Sequence, residues 1–421
     1  MNKKLKKVLS FIGPGFITGA SDDDPSGIGT YSQTGAQFGL SQLWVALFSI
    51  PFMIAIQEMC GRIGLVTGKG LAYSIRQQYG QKIVYATVAI LVIANTLTIG
   101  ADLGAMAATL QLLIPLPFAL LLIAITTLTL VLEIFVTYTT YAKALKYFAL
   151  SLLAYVATAA IVRLNWIEVF TATIIPHIVF TKEYLFNIVA LLGTTISPYL
   201  FFWQASEETE ERITRHESRA IGHTISASAN RFLHTMRYDT VFGMVFSNLI
   251  TFFIIATTAA TLGQNGIRSI ETAADAAAAL SPLAGSAASF LFALGIIGTG
   301  LLAVPVLAGS ASYALAETFD LKMGLYKKFS EAHGFYGIIT IATLAGLAIN
   351  FVGIPPFKLL YYVAVLNGIL APPLMIIILR IATNRTVMGD YVNSRRSSIA
   401  GYTITGIMSI AAVALILSAL I

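Results

Sequence analysis

Long apolar runs constrain this chain more than any other feature of its sequence. Eleven stretches of about 20 or more mainly apolar residues follow one another, without the alternation of a membrane β-strand. Of the 421 residues, 57% are hydrophobic and only 11% are charged, whereas soluble domains carry about 25% charged residues. We therefore predict an all-α integral membrane protein.

The apolar runs predict about eleven transmembrane helices. They lie at about 8–33, 41–61, 83–112, 115–137, 141–163, 184–205, 237–262, 284–318, 333–353, 357–381 and 398–420. With the N-terminus inside, 22 of the 26 Lys and Arg residues fall in cytoplasmic segments, as the positive-inside rule requires. We expect a plasma- or inner-membrane protein with a cytoplasmic N-terminus and an external C-terminus.

The basic residues are spread over alternate loops, so the net charge of +6 does not indicate a nucleic-acid partner. The predicted partners are the lipid bilayer and the transported solute, and nothing in the sequence specifies an oligomeric state. No constellation of nucleophile and base or cofactor ligands is present, so an enzyme is not predicted.

Two of the predicted spans are interrupted. Span 1 contains the sequence SDDDPSG at 21–27, and span 6 contains TTISPY at 194–199. Proline removes a backbone donor, and an unwound segment is tolerated in a membrane only where it is buried in protein or lines a cavity. The interrupted spans open two sets of five, the arrangement of an inverted-repeat transporter. We predict one transporter domain over 1–421, with repeats at about 8–163 and 184–381 and an extra helix at about 398–420.

Three consecutive aspartates lie in the first interruption. A carboxylate at membrane depth is unfavourable by several kcal/mol unless it is compensated, and nearly every Lys and Arg lies in a loop. A bound cation is the simplest compensation, and Asp24, directly before Pro25, is the strongest candidate ligand. For Asp22 and Asp23, the alternative is that they cap the second half-helix. The same charges oppose an anionic substrate.

The second interruption offers Thr194, Thr195, Ser197 and free backbone carbonyls. All of these are hard oxygen ligands, which suit Mg²⁺ or Mn²⁺ better than softer metals. Mg²⁺ retains several of its waters in proteins, so a roomy cavity lined by oxygen atoms is expected. The metal is predicted as cargo, and no resident cofactor is predicted.

Several motifs resemble those of the NRAMP family of metal transporters. They are GPGF at 13–16, Asp24-Pro25, GAQFG at 35–39, LWV at 43–45 and GLVTG at 64–68. The resemblance covers nearly the whole chain. It implies a LeuT-type inverted-repeat fold in which helices 1 and 6 are broken.

The departures from the family pattern are equally informative. Gly27 stands where manganese and iron transporters of the family have an Asn ligand, and Ser197 stands in place of a Met ligand. Tyr199 and Gln204 replace two histidines, and in helix 3 Asp102 is kept while Ala105 replaces a glutamate. These changes are similar to those of an NRAMP-related magnesium transporter branch. The resemblance implies a metal site at Asp24, Gly27, Thr194 and Ser197.

The resulting hypothesis is a transporter of Mg²⁺, and also Mn²⁺, that takes up a partly hydrated ion without coupling to protons. One alternative is a proton-coupled Mn²⁺ or Fe²⁺ importer. Another is a small-molecule or amino-acid transporter of the same fold, which would need an apolar pocket and a partner for the substrate carboxylate.

Other residues receive less specific interpretations. Glu58 and Glu133 are expected to reach the membrane interface from helix ends, and the glutamates of 207–211 are expected to form a solvated face of a polar loop. Glycine pairs four residues apart, at 15/19, 35/39 and 64/68, are weak signals of close helix packing.

Overall fold

A computed structural model describes residues 13–136, 150–162, 164–214, 220–222 and 226–420. All regular structure in these segments is helical, which confirms the predicted all-α class. The helices of nine or more residues are α1 (Pro14–Asp22), α2 (Pro25–Phe38), α3 (Ile50–Thr67), α4 (Leu71–Tyr79), α5 (Gln81–Leu110), α6 (Phe118–Phe135), α7 (Leu153–Ile161), α8 (Trp166–Ile174), α9 (Lys182–Thr195), α10 (Pro198–Thr214), α11 (Ala227–Thr258), α12 (Ala288–Thr318), α13 (His333–Ile349), α14 (Pro356–Thr383) and α15 (Arg395–Leu420). Shorter helices are Trp44–Phe48, Ala273–Ala277, Ser281–Ala284 and Arg385–Met388.

Nine helical segments within the described part of the chain are long and apolar enough to cross a membrane. They are Trp44–Thr67, Gln81–Leu110, Phe118–Phe135, Lys182–Thr214, Ala229–Gly263, Ala273–Thr318, His333–Val352, Pro356–Thr383 and Arg395–Ser418. Each overlaps a predicted apolar run. The predicted first span is divided between α1 and α2, and the run at 141–163 lies partly outside the described residues. The proposed boundaries of the two repeats stay a prediction.

Helix α1 packs against α11 through glycines. A Cβ atom on Gly19 would lie 2.3 Å from the carbonyl carbon of Gly243, and one on Gly15 would lie 2.6 Å from the backbone nitrogen of Thr240. The absence of side chains therefore allows the two backbones to touch. Gly35 and Gly64 make similar backbone contacts with Ile255 and Ala205, so the first member of each glycine pair lies at a close helix contact.

The N-terminus of α1 is capped by a residue far away in the sequence. The carboxylate of Asp239, on α11, accepts hydrogen bonds from the backbone N–H groups of Gly13 at 2.9 Å, Gly15 at 2.7 Å and Phe16 at 3.2 Å. A negative charge at this end of a helix is also favoured by the helix dipole. Asp239 thus joins α1 to α11 at the glycine contact.

The glutamates after the second interruption are not a solvated face, contrary to the sequence prediction. Helix α10 continues to Thr214, and Glu207, Glu208 and Glu210 on it are at most 9% exposed. Glu210 accepts hydrogen bonds from the backbone N–H groups of Leu325 at 3.1 Å and Tyr326 at 2.6 Å. Packing of α10 against the segment that follows α12 buries the glutamates.

Glu58 and Glu133 are also buried among helices, and their position at the membrane interface stays a prediction. Glu58 lies in α3 and forms ion pairs with Arg62 at 3.5 Å and with Arg237 at 3.0 Å. Glu133 is 7% exposed, and neither of its carboxylate oxygens has a hydrogen-bond partner among the described residues.

Candidate metal site

The break in the first span is built around Asp24. Helix α1 ends at Asp22, α2 begins at Pro25, and Asp24 is extended, with φ −68° and ψ 172°. Its Oδ1 accepts hydrogen bonds from the Gly27 backbone N–H at 2.7 Å and from the Ser26 hydroxyl at 2.8 Å. Asp24 is therefore the N-cap of α2, where the helix dipole stabilises its negative charge.

The break in the sixth span presents hydroxyl and carbonyl oxygens. Helix α9 ends at Thr195 and α10 begins at Pro198. The Ser197 hydroxyl donates to the carbonyls of Gly193 at 2.9 Å and Thr194 at 2.7 Å, and the Thr194 hydroxyl donates to Leu191 at 3.1 Å. Each hydroxyl donates its proton within its own helix, and a hydroxyl oxygen keeps lone pairs that can accept a further partner.

Tyr199 connects the two breaks. Its hydroxyl donates a hydrogen bond to the Ser21 carbonyl at 2.8 Å and lies 3.4 Å from Oδ2 of Asp24. Tyr199 is 1% exposed and Asp24 is 2% exposed. The structure thus brings the Asp24 carboxylate to the start of α10. Sequence reasoning had treated Tyr199 only as the replacement of a histidine.

Gly27 contributes space and a backbone donor. Its N–H group is used by Asp24, and a Cβ atom at this position would lie 3.0 Å from the Asp22 carbonyl and 3.2 Å from the Tyr31 ring. A larger residue would therefore require Tyr31 to move.

The thioether of Met106 packs against Gly300 near the Pro25 ring, a neighbour that sequence reasoning missed.

Asp22 and Asp23 face away from the cap of α2. Both accept a hydrogen bond from the hydroxyl of Ser247 on α11, at 2.9 and 3.2 Å. They lie at the C-terminal end of α1, so the alternative in which they cap the second half-helix is wrong. Among the described residues, no three His, Cys, Asp or Glu side chains are grouped closely enough to hold a metal ion. The three aspartates therefore do not converge on one point.

Asp102 is a further buried carboxylate next to this region. It lies on α5, is fully buried and has no hydrogen-bond partner for either oxygen among the described residues. It is close enough to Asp24 for the two carboxylates to interact electrostatically. The α5 side of the break thus carries a second buried carboxylate beside Asp24.

A cavity of about 250 Å³ lies between α4, α10 and α12, away from the breaks. Its lining includes Glu210, Tyr313 and Glu317. With a rise of 1.5 Å per residue, Glu210 is about 17 Å along α10 from Tyr199. The carboxylate of Glu317 accepts hydrogen bonds from the backbone N–H groups of Gly70 and Tyr73 at the start of α4. None of the residues predicted to bind the metal lines this cavity, so it is not the candidate metal site.

Comparison with known proteins agrees with this architecture. A family model described as natural resistance-associated macrophage protein-like (Nramp) matches residues 15–418. The structure is similar to a manganese transporter of Eremococcus coleocola, with a TM-score of 0.77, 16% identity, and coverage of 98% of this chain and 87% of that one. It is also similar to Mhp1, a nucleobase-cation-symport-1 family transporter in a closed conformation, with a TM-score of 0.63, 14% identity, and coverage of 96% and 91%.

Proposed function

The chain belongs to the Nramp family of membrane transporters, and we propose that the divalent metal ion it carries is Mg²⁺, with Mn²⁺ as a second substrate. As a member of this family it is a multi-pass membrane protein that transports divalent metal ions, and it is not an enzyme. The ion is partly hydrated and binds between the breaks of the first and sixth spans. Asp24, Gly27, Thr194 and Ser197 surround it.

The pairing of one carboxylate with an oxygen-only helix break carries this proposal. Asp24 is directed towards the start of α10, while the break there offers the hydroxyls of Thr194 and Ser197. Mg²⁺ binds in proteins through one or two carboxylates and keeps several waters. Gly27 adds no side-chain ligand, so water rather than an amide would complete the coordination on that side. The decisive test is metal flux into proteoliposomes that contain the purified protein, with Mg²⁺ and Mn²⁺ offered separately.

The substitution Ser197→Met tests the selectivity argument. A thioether at the break adds a soft ligand, which favours Mn²⁺ over Mg²⁺. We expect the preference to shift towards Mn²⁺ by about tenfold, equivalent to about 1.4 kcal/mol. Competition of Mg²⁺ against Mn²⁺ uptake measures the shift. Adding Gly27→Asn to the same variant supplies a further direct ligand to the metal ion, provided that the Tyr31 ring moves aside.

Ser197→Leu is the matched control, since it adds similar bulk without sulfur. An equal shift in Ser197→Leu would show that size rather than the thioether sets the preference. An unchanged preference in Ser197→Met, alone and with Gly27→Asn, would contradict the ligand argument.

We propose that transport is not coupled to protons. Gln204 is a satisfied amide that does not titrate: it accepts from the Thr18 hydroxyl at 2.5 Å and donates to Glu208 at 2.8 Å. Histidine is the side chain suited to titration near neutrality, and the three histidines that the structure describes lie away from the breaks. His177, His234 and His333 are exposed, and His216 and His223 lie outside the described residues.

A pair of dyes trapped in proteoliposomes tests the absence of coupling. During Mg²⁺ influx driven by the metal gradient and the membrane potential, we expect the metal dye to respond while the pH dye stays flat. A protonophore added at the end verifies that the pH dye works. Acidification of the lumen that scales with Mg²⁺ uptake, and that disappears in Asp102→Asn, would instead favour a proton-coupled carrier.

We propose a plasma- or inner-membrane location, with the N-terminus in the cytoplasm and the C-terminus outside. The support is the distribution of 22 of 26 basic residues to one set of loops. Labelling of a C-terminal tag on intact cells tests the orientation, and a tag that reacts only after the cells are opened contradicts it.

A further inference from the structure

Asp22 and Asp23 form a carboxylate pair apart from Asp24. One oxygen of each accepts the single hydroxyl proton of Ser247, at 2.9 and 3.2 Å. The other oxygen of each, Oδ1 of Asp22 and Oδ2 of Asp23, is buried and has no hydrogen-bond partner among the described residues. A buried acceptor without a partner is unfavourable, so this pair requires something that the protein itself does not supply.

Two buried hydroxyl groups from other helices lie at the same place, beside each other, and neither forms a well-aligned hydrogen bond with any of the described residues. The Tyr31 hydroxyl, on α2, is fully buried and close enough to Asp22 and Asp23 to interact electrostatically with both. The Thr251 hydroxyl is fully buried beside Tyr31 and lies one helical turn after Ser247 on α11. Hydroxyl oxygens can accept a cation as a ligand while their protons turn away.

Within the described part of the chain, no ion pair joins Asp22 or Asp23 to a basic side chain. Ion pairs there join Glu58 to Arg62 and Arg237, Arg76 to Asp320, and Lys358 to Glu271, for example. The pair also lies at the C-terminal end of α1, where the helix dipole is itself unfavourable to negative charge and favourable to a cation.

We propose that Asp22, Asp23, Ser247, Tyr31 and Thr251 form a second divalent-cation site. This inference rests on the proposed function, in that the cation is the hard ion that the chain transports. Two carboxylates neutralise one divalent ion, and the remaining ligands are all oxygen, as Mg²⁺ and Mn²⁺ prefer. Asp24 belongs to the other site because its oxygens face Ser26, Gly27 and Tyr199.

The two sites are neighbours. The Thr194 hydroxyl, which belongs to the break of the sixth span, also lies beside the Tyr31 hydroxyl. An ion at each site would therefore feel the charge of the other, and repulsion between adjacent sites helps ions to leave a pathway. The second site also explains how the chain tolerates three adjacent carboxylates at membrane depth.

Mn²⁺ binding to the purified full-length protein tests the proposal. At saturation we expect two Mn²⁺ ions per chain by isothermal calorimetry, and magnetic broadening between them in electron paramagnetic resonance. The double variant Asp22→Asn with Asp23→Asn should keep one ion, at the Asp24 site, and lose the broadening. Asp24→Asn should lose the other ion and keep the one at Asp22 and Asp23.

Glu133→Gln is the matched control, because it neutralises another buried carboxylate without partners, in α6. It should still bind two ions. If the double variant does not fold, Thr251→Val removes one neutral ligand instead, and we expect the weaker binding of one ion by about tenfold.

A wild-type stoichiometry of one, unchanged in the double variant and abolished by Asp24→Asn, would overturn the second site and leave the proposed function intact. A wild-type protein that binds no Mn²⁺ at all would overturn both. Loss of an ion in Glu133→Gln would show that the number of Mn²⁺ ions bound per chain depends on buried carboxylates in general. The second site would then also be rejected.

Discussion

Asp24→Asn is expected to abolish Mg²⁺ transport and to weaken Mg²⁺ binding by about ten- to a hundredfold. Loss of a charge-assisted contact amounts to about 1.5–3 kcal/mol, which corresponds to this range of dissociation constants. The amide keeps an oxygen for the Gly27 N–H and the Ser26 hydroxyl, which Asp24 now binds at 2.7 and 2.8 Å. Capping of α2 is therefore preserved while the charge is removed.

Asp24→Ala separates the two roles of this side chain. It removes the cap as well as the charge and should lower stability by a further ~1 kcal/mol relative to Asp24→Asn. Calorimetry measures binding, proteoliposome flux measures transport, and thermal melting in detergent measures stability. Folded Asp24→Asn that binds as many Mg²⁺ ions per chain as wild type, each with unchanged affinity, would eliminate Asp24 as the main charged ligand, whatever the flux.

Gly19→Ala is expected to destabilise the protein by about 1–3 kcal/mol, the usual range for overpacking. The new Cβ would lie 2.3 Å from the carbonyl carbon of Gly243, and the nearest atoms are all backbone that cannot turn aside. Helix α1 must move away from α11 to accept it. Because α1 leads directly into the Asp22–Asp24 segment, we also expect transport to fall.

Gly337→Ala is the matched control for this substitution. Gly337 lies within α13, and a Cβ atom there meets no other atom within 4 Å. Since alanine is the better helix former, this variant should be as stable as wild type or more stable by up to about 1 kcal/mol. A lower melting temperature in Gly19→Ala, with an unchanged or higher one in Gly337→Ala, would support the packing argument. Equal changes in melting temperature in both variants would refute the packing argument, since the contact of position 19 with Gly243 would then have no energetic consequence.

The positions of the spans and breaks could be read from the sequence because they depend on local properties. Apolar length decides where a helix can cross a membrane, and Pro25 and Pro198, which lack a backbone N–H, are the first residues of the second half of each broken span. Each of the nine described spans overlaps a predicted run. Asp24 could be chosen as a candidate metal ligand for the same reason. A carboxylate directly before a proline within an apolar run is visible in the sequence without knowledge of its spatial neighbours.

The interactions of the buried acids depended on the tertiary structure, since they join residues far apart in the chain. The cap of α1 by Asp239 spans more than 220 positions, and burial of Glu207, Glu208 and Glu210 follows from the way α10 packs against its neighbours. Similarly, the sequence determined that three aspartates lie together in the first span. The tertiary structure decided that Asp22 and Asp23 contact Ser247 while Asp24 contacts Tyr199. Helix packing sets the direction of each side chain, and composition does not.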